Sequence, residues 1–222
     1  MTFKLNLIDL PDLERIDGEV RHYKTPEGNL YPSVTSVLSA TGDKGFLDSW
    51  ADRIGHEEAA KITAQSGRRG SAMHELLEKY VLNEDIDFKK EVPTTIALFK
   101  QIKKFLDPNL DEVLSSEGRL YSDTLKVAGS VDLVARWKGK MAIVDFKTSR
   151  RLKKPEWIWS YCLQTAMYAY MVYERTGILC PNLVILIAID DENHGQCFEF
   201  KAKDYLSAAK AACETYHKSL VI

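Results

Sequence analysis

Three residues set the chemical question. Asp132, Asp145 and Lys147 fall on two runs, Leu125 to Trp137 and Met141 to Lys147, whose alternation and branched side chains suit strands. Between the runs, Trp137-Lys138-Gly139-Lys140 offers a two-residue turn centred on Lys138-Gly139. If Trp137 pairs with Lys140, every pair of residue numbers sums to 277 and Asp132 stands opposite Asp145. Lys147, two residues on, projects from the same face as Asp145. Opposed side chains have Cβ atoms ~4.5–5.5 Å apart, where like charges destabilise, so something must lie between the carboxylates. A hard divalent cation suits that place, because Mg²⁺ prefers carboxylate oxygen and retained water. Such an ion can activate water and neutralise charge on a phosphate, while a neighbouring lysine orients the water or stabilises developing negative charge. A blander arrangement pairs one acid with Lys147 and leaves the other solvated. Val131, Leu133, Val144 and Phe146 favour a strand pair covered on its other face. A bulge or a three-residue turn would break the register.

The elements needed to hold this pair can be read around it. Short strands joined by turns are expected over the first thirty residues, then a short helix over Ser33 to Ala40, opened by Pro32 and Ser33. Two helices follow near Leu47 to Gln65 and Ser71 to Leu82, separated by Gly67-Arg68-Arg69-Gly70. A further amphipathic helix fits Thr95 to Leu106, stopped by Pro108. Val113 to Ser122 adds a strand before the hairpin. After it come a long helix from Pro155 to Thr176 ended by Gly177, a buried strand over Leu183 to Ile189, a strand over Cys197 to Phe200 and a helix over Ala202 to His217. The expected class is α/β (α+β), a central mixed sheet flanked by helices with an N-terminal helical region. No internal repeat, low-complexity stretch or long linker breaks the chain, so residues 1–222 are read as a single domain.

Composition narrows the partners. The chain has 222 residues, 45% apolar and 28% charged, within the range of ordinary soluble domains. No apolar run reaches the ~18 residues that cross a bilayer, so no membrane partner is expected. The N-terminus resembles the start of a strand and no targeting segment is apparent, which points to a cytoplasmic protein of bacterial or phage-infected-host origin. Cys162, Cys180, Cys197 and Cys213 lie 16 to 18 residues apart without a tight pair, against a zinc or iron–sulfur site. A net charge of −2 argues against indiscriminate nucleic-acid coating. Yet from Arg136 to Lys154 there are eight Lys or Arg and one acid, Asp145.

Four motifs, in order, carry a resemblance. Gly70-Ser71-Ala72-Met73-His74 matches G-x-x-x-H, Gly129-Ser130-Val131-Asp132 matches G-x-x-D, Asp145-Phe146-Lys147-Thr148 matches D-x-K-T, and Gln164-Thr165-Ala166-Met167-Tyr168 matches Q-x-x-x-Y. Together they resemble the PD-(D/E)xK nuclease superfamily, RecB-like exonuclease branch. Tyr31-Pro32-Ser33-Val34-Thr35 and the spacings are similar to exonucleases of mitochondrial genome maintenance and related phage proteins. Val131 stands where the superfamily name has proline, as this branch commonly allows. The resemblance implies a restriction-endonuclease-like core and a metal-dependent DNA exonuclease. It would act on single-stranded ends in replication, recombination or repair, alongside proteins of those processes. Asp132, Asp145, the Phe146 carbonyl and His74 would hold one or two Mg²⁺ or Mn²⁺ ions, with Lys147 completing the catalytic set. The alternatives are a structure-specific endonuclease of the same superfamily, or a non-catalytic nucleic-acid-binding module.

Further candidates have bland readings beside the functional ones. Gln164 and Tyr168, i and i+4 on one helix face, position the site or substrate, or are a buried tyrosine with its hydrogen-bonding partner. Glu78, one turn beyond His74, and Glu117, on the strand before Asp132, are possible additional acids or ordinary surface glutamates. Arg68 and Arg69 between their glycines, and Arg150 and Arg151 with Lys153 and Lys154 after the catalytic strand, are candidate phosphate contacts. Ser33 and Thr35 open a helix that could hold a phosphate, though capping explains them equally well. Trp50, Trp157, Trp159 and Tyr161 offer stacking surfaces for unpaired bases, or core.

Overall fold

The computed structural model describes residues 2–42 and 52–220. Trp50 and the start of the helix expected from Leu47 lie outside those residues. The hairpin that frames the site is formed as predicted. β6 (Val127–Trp137) and β7 (Lys140–Ser149) are antiparallel, with Trp137 paired to Lys140 and Leu133 to Val144. Lys138 and Gly139 both adopt positive φ, 48° and 75°, the backbone that a tight hairpin requires.

Around the hairpin runs one mixed six-stranded sheet, ordered β1-β5-β6-β7-β8-β9. β5 (Leu110–Ser122) joins β6 antiparallel, β8 (Asn182–Ile189) lies parallel to β7, and β9 (Gln196–Lys201) closes antiparallel on β8. β1 (Lys4–Leu5) pairs parallel to β5 across most of the chain's first half. A second, three-stranded antiparallel sheet is built from β2 (Glu14–Ile16), β3 (His22–Lys24) and β4 (Leu30–Pro32).

Helices cover both faces. α2 (His56–Val81) and α3 (Pro93–Asn109) bury Met73, Leu77, Phe99 and Ile102 against Leu133, Val144, Phe146 and Leu186. α1 (Val34–Thr41), α4 (Trp159–Thr176) and α5 (Leu206–Ser219) cover Val131, Val134, Ile143 and Leu183 on the other face. α4 is the crossover that parallel β7 and β8 demand, and it ends at Gly177 in the left-handed conformation. The central mixed sheet flanked by helices is the expected class.

Several boundaries differ from the sequence reading: α4 begins at Trp159 rather than Pro155, β6 at Val127 rather than Leu125, α5 at Leu206 rather than Ala202, and two helices run past expected breaks. α2 runs unbroken through Gly67 to Gly70, where a break was expected. Neither glycine takes positive φ, and their cost of ~1 kcal/mol each relative to alanine is offset by burying Met73, Leu76, Leu77 and Val81 beyond them. Pro108 does not stop α3, which ends at Asn109. A proline in the last turn removes one helical hydrogen bond, and the Leu110 N–H still reaches the Leu106 carbonyl. Cys162, Cys180 and Cys213 are buried free thiols and Cys197 is half-buried. Burial pushes the Cys162 and Cys197 thiols up to about 11 and those of Cys180 and Cys213 to about 12.

Candidate active site

The hairpin opens where the chemistry begins. Pairing between β6 and β7 extends as far as Leu133 with Val144. At the next position the Phe146 N–H donates to Asp132 Oδ2 at 2.7 Å, so the carboxylate itself spans the two strands. On its other side β6 pairs with β5, where Ser116 opposes Leu133 and Gly118 opposes Val131, which places Glu117 level with Asp132. Glu117 has φ of 50° within a strand, a conformation that costs a non-glycine residue on the order of 1 kcal/mol. The kinked residue is held by Ser130, whose hydroxyl donates to the Glu117 carbonyl at 3.0 Å and to Oε2 at 3.2 Å.

Onto this edge α2 lowers His74. Its Nε2 lies 3.0 Å from the Phe146 carbonyl, and its Nδ1 lies 3.4 Å from Glu117 Oε1 and 3.6 Å from Asp132 Oδ1. A doubly protonated imidazole serves all three contacts. Burial alone would lower the His74 pKa, but the Asp132 charge and the Glu117 hydrogen bond outweigh it and raise it to about 9. Asp132 is pushed up to about 7, chiefly by burial, with His74 opposing the rise and Asp145 adding to it.

A cation site can be recognised from these atoms. His74, Glu117 and Asp132 each offer one ligand atom within 4.8 Å of the others, with the Phe146 carbonyl against the same imidazole. Carboxylate and carbonyl oxygens with one imidazole suit a hard or borderline divalent ion. Buried Asp132 with half-buried Glu117 beside it gathers more negative charge than one imidazolium neutralises, which fits such an ion.

Asp145 contacts Lys147 rather than facing Asp132 across the hairpin. The Lys147 ammonium lies 2.7 Å from Asp145 Oδ1 and 2.6 Å from Oδ2, while Asp132 turns to His74 and Phe146. One acid is thus paired with Lys147, but the other is buried rather than solvated. Burial would lower the Lys147 pKa; the Asp145 and Asp132 charges more than reverse this, and the lysine stays cationic. Tyr161 lies with its ring centroid 5.2 Å from the Lys147 ammonium, a cation–π contact.

Two motifs meet beneath the acids. A Cβ on Gly129 would lie 2.8 Å from the Tyr168 hydroxyl and 2.9 Å from its Cε1. Glycine at that point of β6 is what lets the tyrosine of α4 sit there. Burial drives the Tyr168 pKa well above its ordinary value, reinforced by Asp132 and Asp145, with Gln164 one turn earlier opposing the rise. Gln164 and Tyr168 are both buried.

The remaining candidates lie at varied distances from this centre. Glu78 is half-buried and its pKa is raised by burial and by Glu117, placing it beside the cluster but outside the triad. Arg69 is engaged by Asp190 at 2.9 Å, tying α2 to the end of β8, and Arg68 is exposed. Ser33 is buried as the cap of α1, its hydroxyl accepting from the Ser36 N–H at 3.0 Å; Thr35 is exposed. Arg150 and Arg151 are exposed just past β7. Ser130 was missed as a functional residue, although it sits inside G-x-x-D.

Comparison with known proteins supports the resemblance, over a span that holds three of the four motifs. Residues 89–181 match the profile of the PD-(D/E)XK nuclease superfamily, a span that includes Glu117, Asp132, Asp145, Lys147, Gln164 and Tyr168. Mitochondrial genome maintenance exonuclease 1 of Mus musculus is 27% identical over 132 residues, 56% of this chain and 39% of that protein. The same protein of Homo sapiens is 26% identical over 132 residues, covering 56% and 38%. The chain thus spans about two fifths of the length of the relatives it matches. The crystal structure of SSO0001 aligns with a TM-score of 0.45 at 15% identity, covering 84% of this chain and 74% of that one. The family match and these relatives support a hydrolytic nuclease.

Proposed function

We propose that the chain is a divalent-metal-dependent deoxyribonuclease that hydrolyses phosphodiester bonds from single-stranded DNA ends. The observation that carries the reading is the convergence of His74, Glu117 and Asp132 beside the Asp145–Lys147 pair. Exonucleolytic action is taken from the name of the relatives, and DNA as the substrate from the resemblance that the four motifs carry.

The Mg²⁺ or Mn²⁺ ion, held by Asp132, Glu117, His74 and the Phe146 carbonyl, would supply an acidified water and charge neutralisation at the phosphate. The protein's own groups do the rest. Lys147, kept cationic by Asp145, presents an ammonium to the negative charge that develops on the phosphate oxygens. Asp145, buried and bound to Lys147, fixes where that ammonium points. Tyr168, buried beside Asp132 and Asp145, packs behind the acids with Gln164 one turn earlier. Accessible edges of His74, Glu117 and Lys147 leave an open side from which a strand can approach.

The test is cleavage of end-labelled linear and circular single-stranded DNA with Mg²⁺ or Mn²⁺, wild type against Lys147→Ala. Loss of the linear strand alone, abolished in the variant, is the expected result. Cleavage of circles as fast as linear strands would replace the exonuclease with an endonuclease. Absence of any cleavage would leave a nucleic-acid-binding module.

A further inference from the structure

The chain between β7 and α4 leaves the site and returns to it. β7 ends at Ser149, two residues beyond Lys147, and Tyr161 at the start of α4 brings its ring back to the Lys147 ammonium. Residues 150–158 therefore form part of the rim.

Their backbone is fixed at both ends. The Ser149 hydroxyl donates to the Arg151 carbonyl at 2.7 Å, and the Asp190 N–H donates to the Ser149 carbonyl at 2.9 Å. Gln196 of β9 clamps Lys153 from both sides, accepting from its N–H at 2.7 Å and donating to its carbonyl at 2.9 Å. On this fixed backbone stand Arg150, Arg151, Lys153 and Lys154. Among the described residues none of the four makes an ion pair, whereas Lys147 is fully engaged by Asp145.

The same short segment also exposes large apolar side chains. Trp157 is 56% exposed, Trp159 51% and Leu152 47%. Trp159 leans on Tyr205, with ring centroids 5.1 Å apart, so one of its faces is occupied. Trp157 has the Lys154 ammonium 5.3 Å from its centroid and more than half of its surface open to solvent. Cations free of ion pairs and a largely exposed indole, held on a braced loop beside a candidate phosphodiester site, are groups that a nucleic-acid strand can use.

We propose that residues 150–158 bind an unpaired nucleic-acid strand, with Trp157 stacking on a base and the flanking cations contacting the phosphates on either side. Stacking on a side chain needs a base whose face is free, which a duplex offers only at its ends. The segment thus selects single strands by geometry rather than by sequence. Its location at a catalytic centre rests on the nuclease reading above; the binding itself does not depend on cleavage.

Fluorescence anisotropy with a labelled oligothymidylate and a blunt duplex of equal length, both in EDTA, tests it without turnover. Trp157→Ala should weaken oligothymidylate binding by about fivefold to a hundredfold, the range expected for one stacked base, and change duplex binding less than about twofold. Trp157→Phe, which keeps a ring, should stay within about threefold of wild type. Arg150→Ala/Arg151→Ala should flatten the salt dependence by ~0.7 in logarithmic slope for each of the two cations that neutralises a phosphate. Unchanged oligothymidylate affinity in Trp157→Ala, an equal weakening on duplex, or a wild type that binds neither would overturn the proposal. Selective binding through Trp157 with no cleavage under Mg²⁺ or Mn²⁺ would uphold it and remove the nuclease reading. Cleavage with unaltered binding in the variant would do the reverse.

Discussion

Replacing Gly129 with alanine tests whether the meeting of two motifs is what seats the acids. The new Cβ would lie 2.8 Å from the Tyr168 hydroxyl, 2.9 Å from Cε1 and 3.3 Å from Cζ. Carbon atoms rest at about 3.5–4.0 Å, so ring or strand must yield by roughly 0.5–1 Å. Neither has room: Tyr168 packs among Val131, Val134, Met167 and Met171, all fully buried. Overpacking of this kind costs about 1–3 kcal/mol. For a chain of this size each kcal/mol lowers Tm by ~2–4 °C, so Tm should fall by roughly 2–12 °C. Asp132 is three residues along the same strand, and a displacement of ~1 Å in a catalytic group can cost on the order of a hundredfold in rate. Calorimetry and nuclease kinetics on Gly129→Ala, Tyr168→Phe and the double variant measure both effects. Removing the hydroxyl relieves the nearest clash, so the double variant should recover part of the stability that Gly129→Ala forfeits. A Gly129→Ala protein within about 0.5 kcal/mol of wild type, or strictly additive effects, would refute the steric argument.

Further outcomes follow from the same cluster. His74 keeps its proton to about 9 in the folded chain against 6.5 free, and Asp132 to about 7 against 3.8. The folded state therefore binds more protons than the unfolded one between these values. The His74 contribution is fully present below pH 6.5 and lost as pH rises through 9, by ~3 kcal/mol at most. Calorimetry in EDTA should show metal-free Tm falling over that window, and a His74→Gln variant with an equally steep fall would contradict this. Added Mn²⁺ or Mg²⁺ at about a hundred times its Kd should stabilise wild type by ~2.7 kcal/mol and leave Asp132→Asn nearly unmoved; equal shifts in both would exclude this site. Glu117→Gly relieves the positive φ whereas Glu117→Gln retains it. Both should bind metal more weakly, with the glycine variant the more stable by about 1 kcal/mol; a less stable glycine variant would show that the backbone there is not strained.

The hairpin was legible because a turn of known geometry fixes every register position after it, and Lys138-Gly139 is such a turn. What it could not convey is where pairing stops. The opposition of Asp132 to Asp145 presumed a ladder that continues, whereas the Asp132 carboxylate intervenes between the strands and Asp145 goes to Lys147. Glu117 stood out only weakly, since nothing in its neighbours announces a left-handed residue inside a strand. Its place in the triad follows from that kink and from the Ser130 hydroxyl. The unbroken α2 went unread for the opposite reason: Gly67 and Gly70 are strong local breakers, and the apolar burial that overrides them is a tertiary fact. Arg69 looked available for phosphate until β8 delivered Asp190 to it.

The sheet order also carries information about time. β5, β6 and β7 follow one another in sequence and hold Glu117, Asp132 and Phe146, so this part of the centre needs only short chain closures to form. β1 has no such neighbour. Lys4 pairs with Glu112, and the N–H groups of Asn6 and Ile8 reach the Val113 and Leu114 carbonyls. At about 5–20 residues per second of synthesis, β5 follows that segment by several seconds. Until it docks, β5 is an open edge of unpaired amides and carbonyls, the kind of edge that invites another chain. Docking of β1 shortens that exposed edge where Lys4 and Leu5 meet Glu112 and Val113.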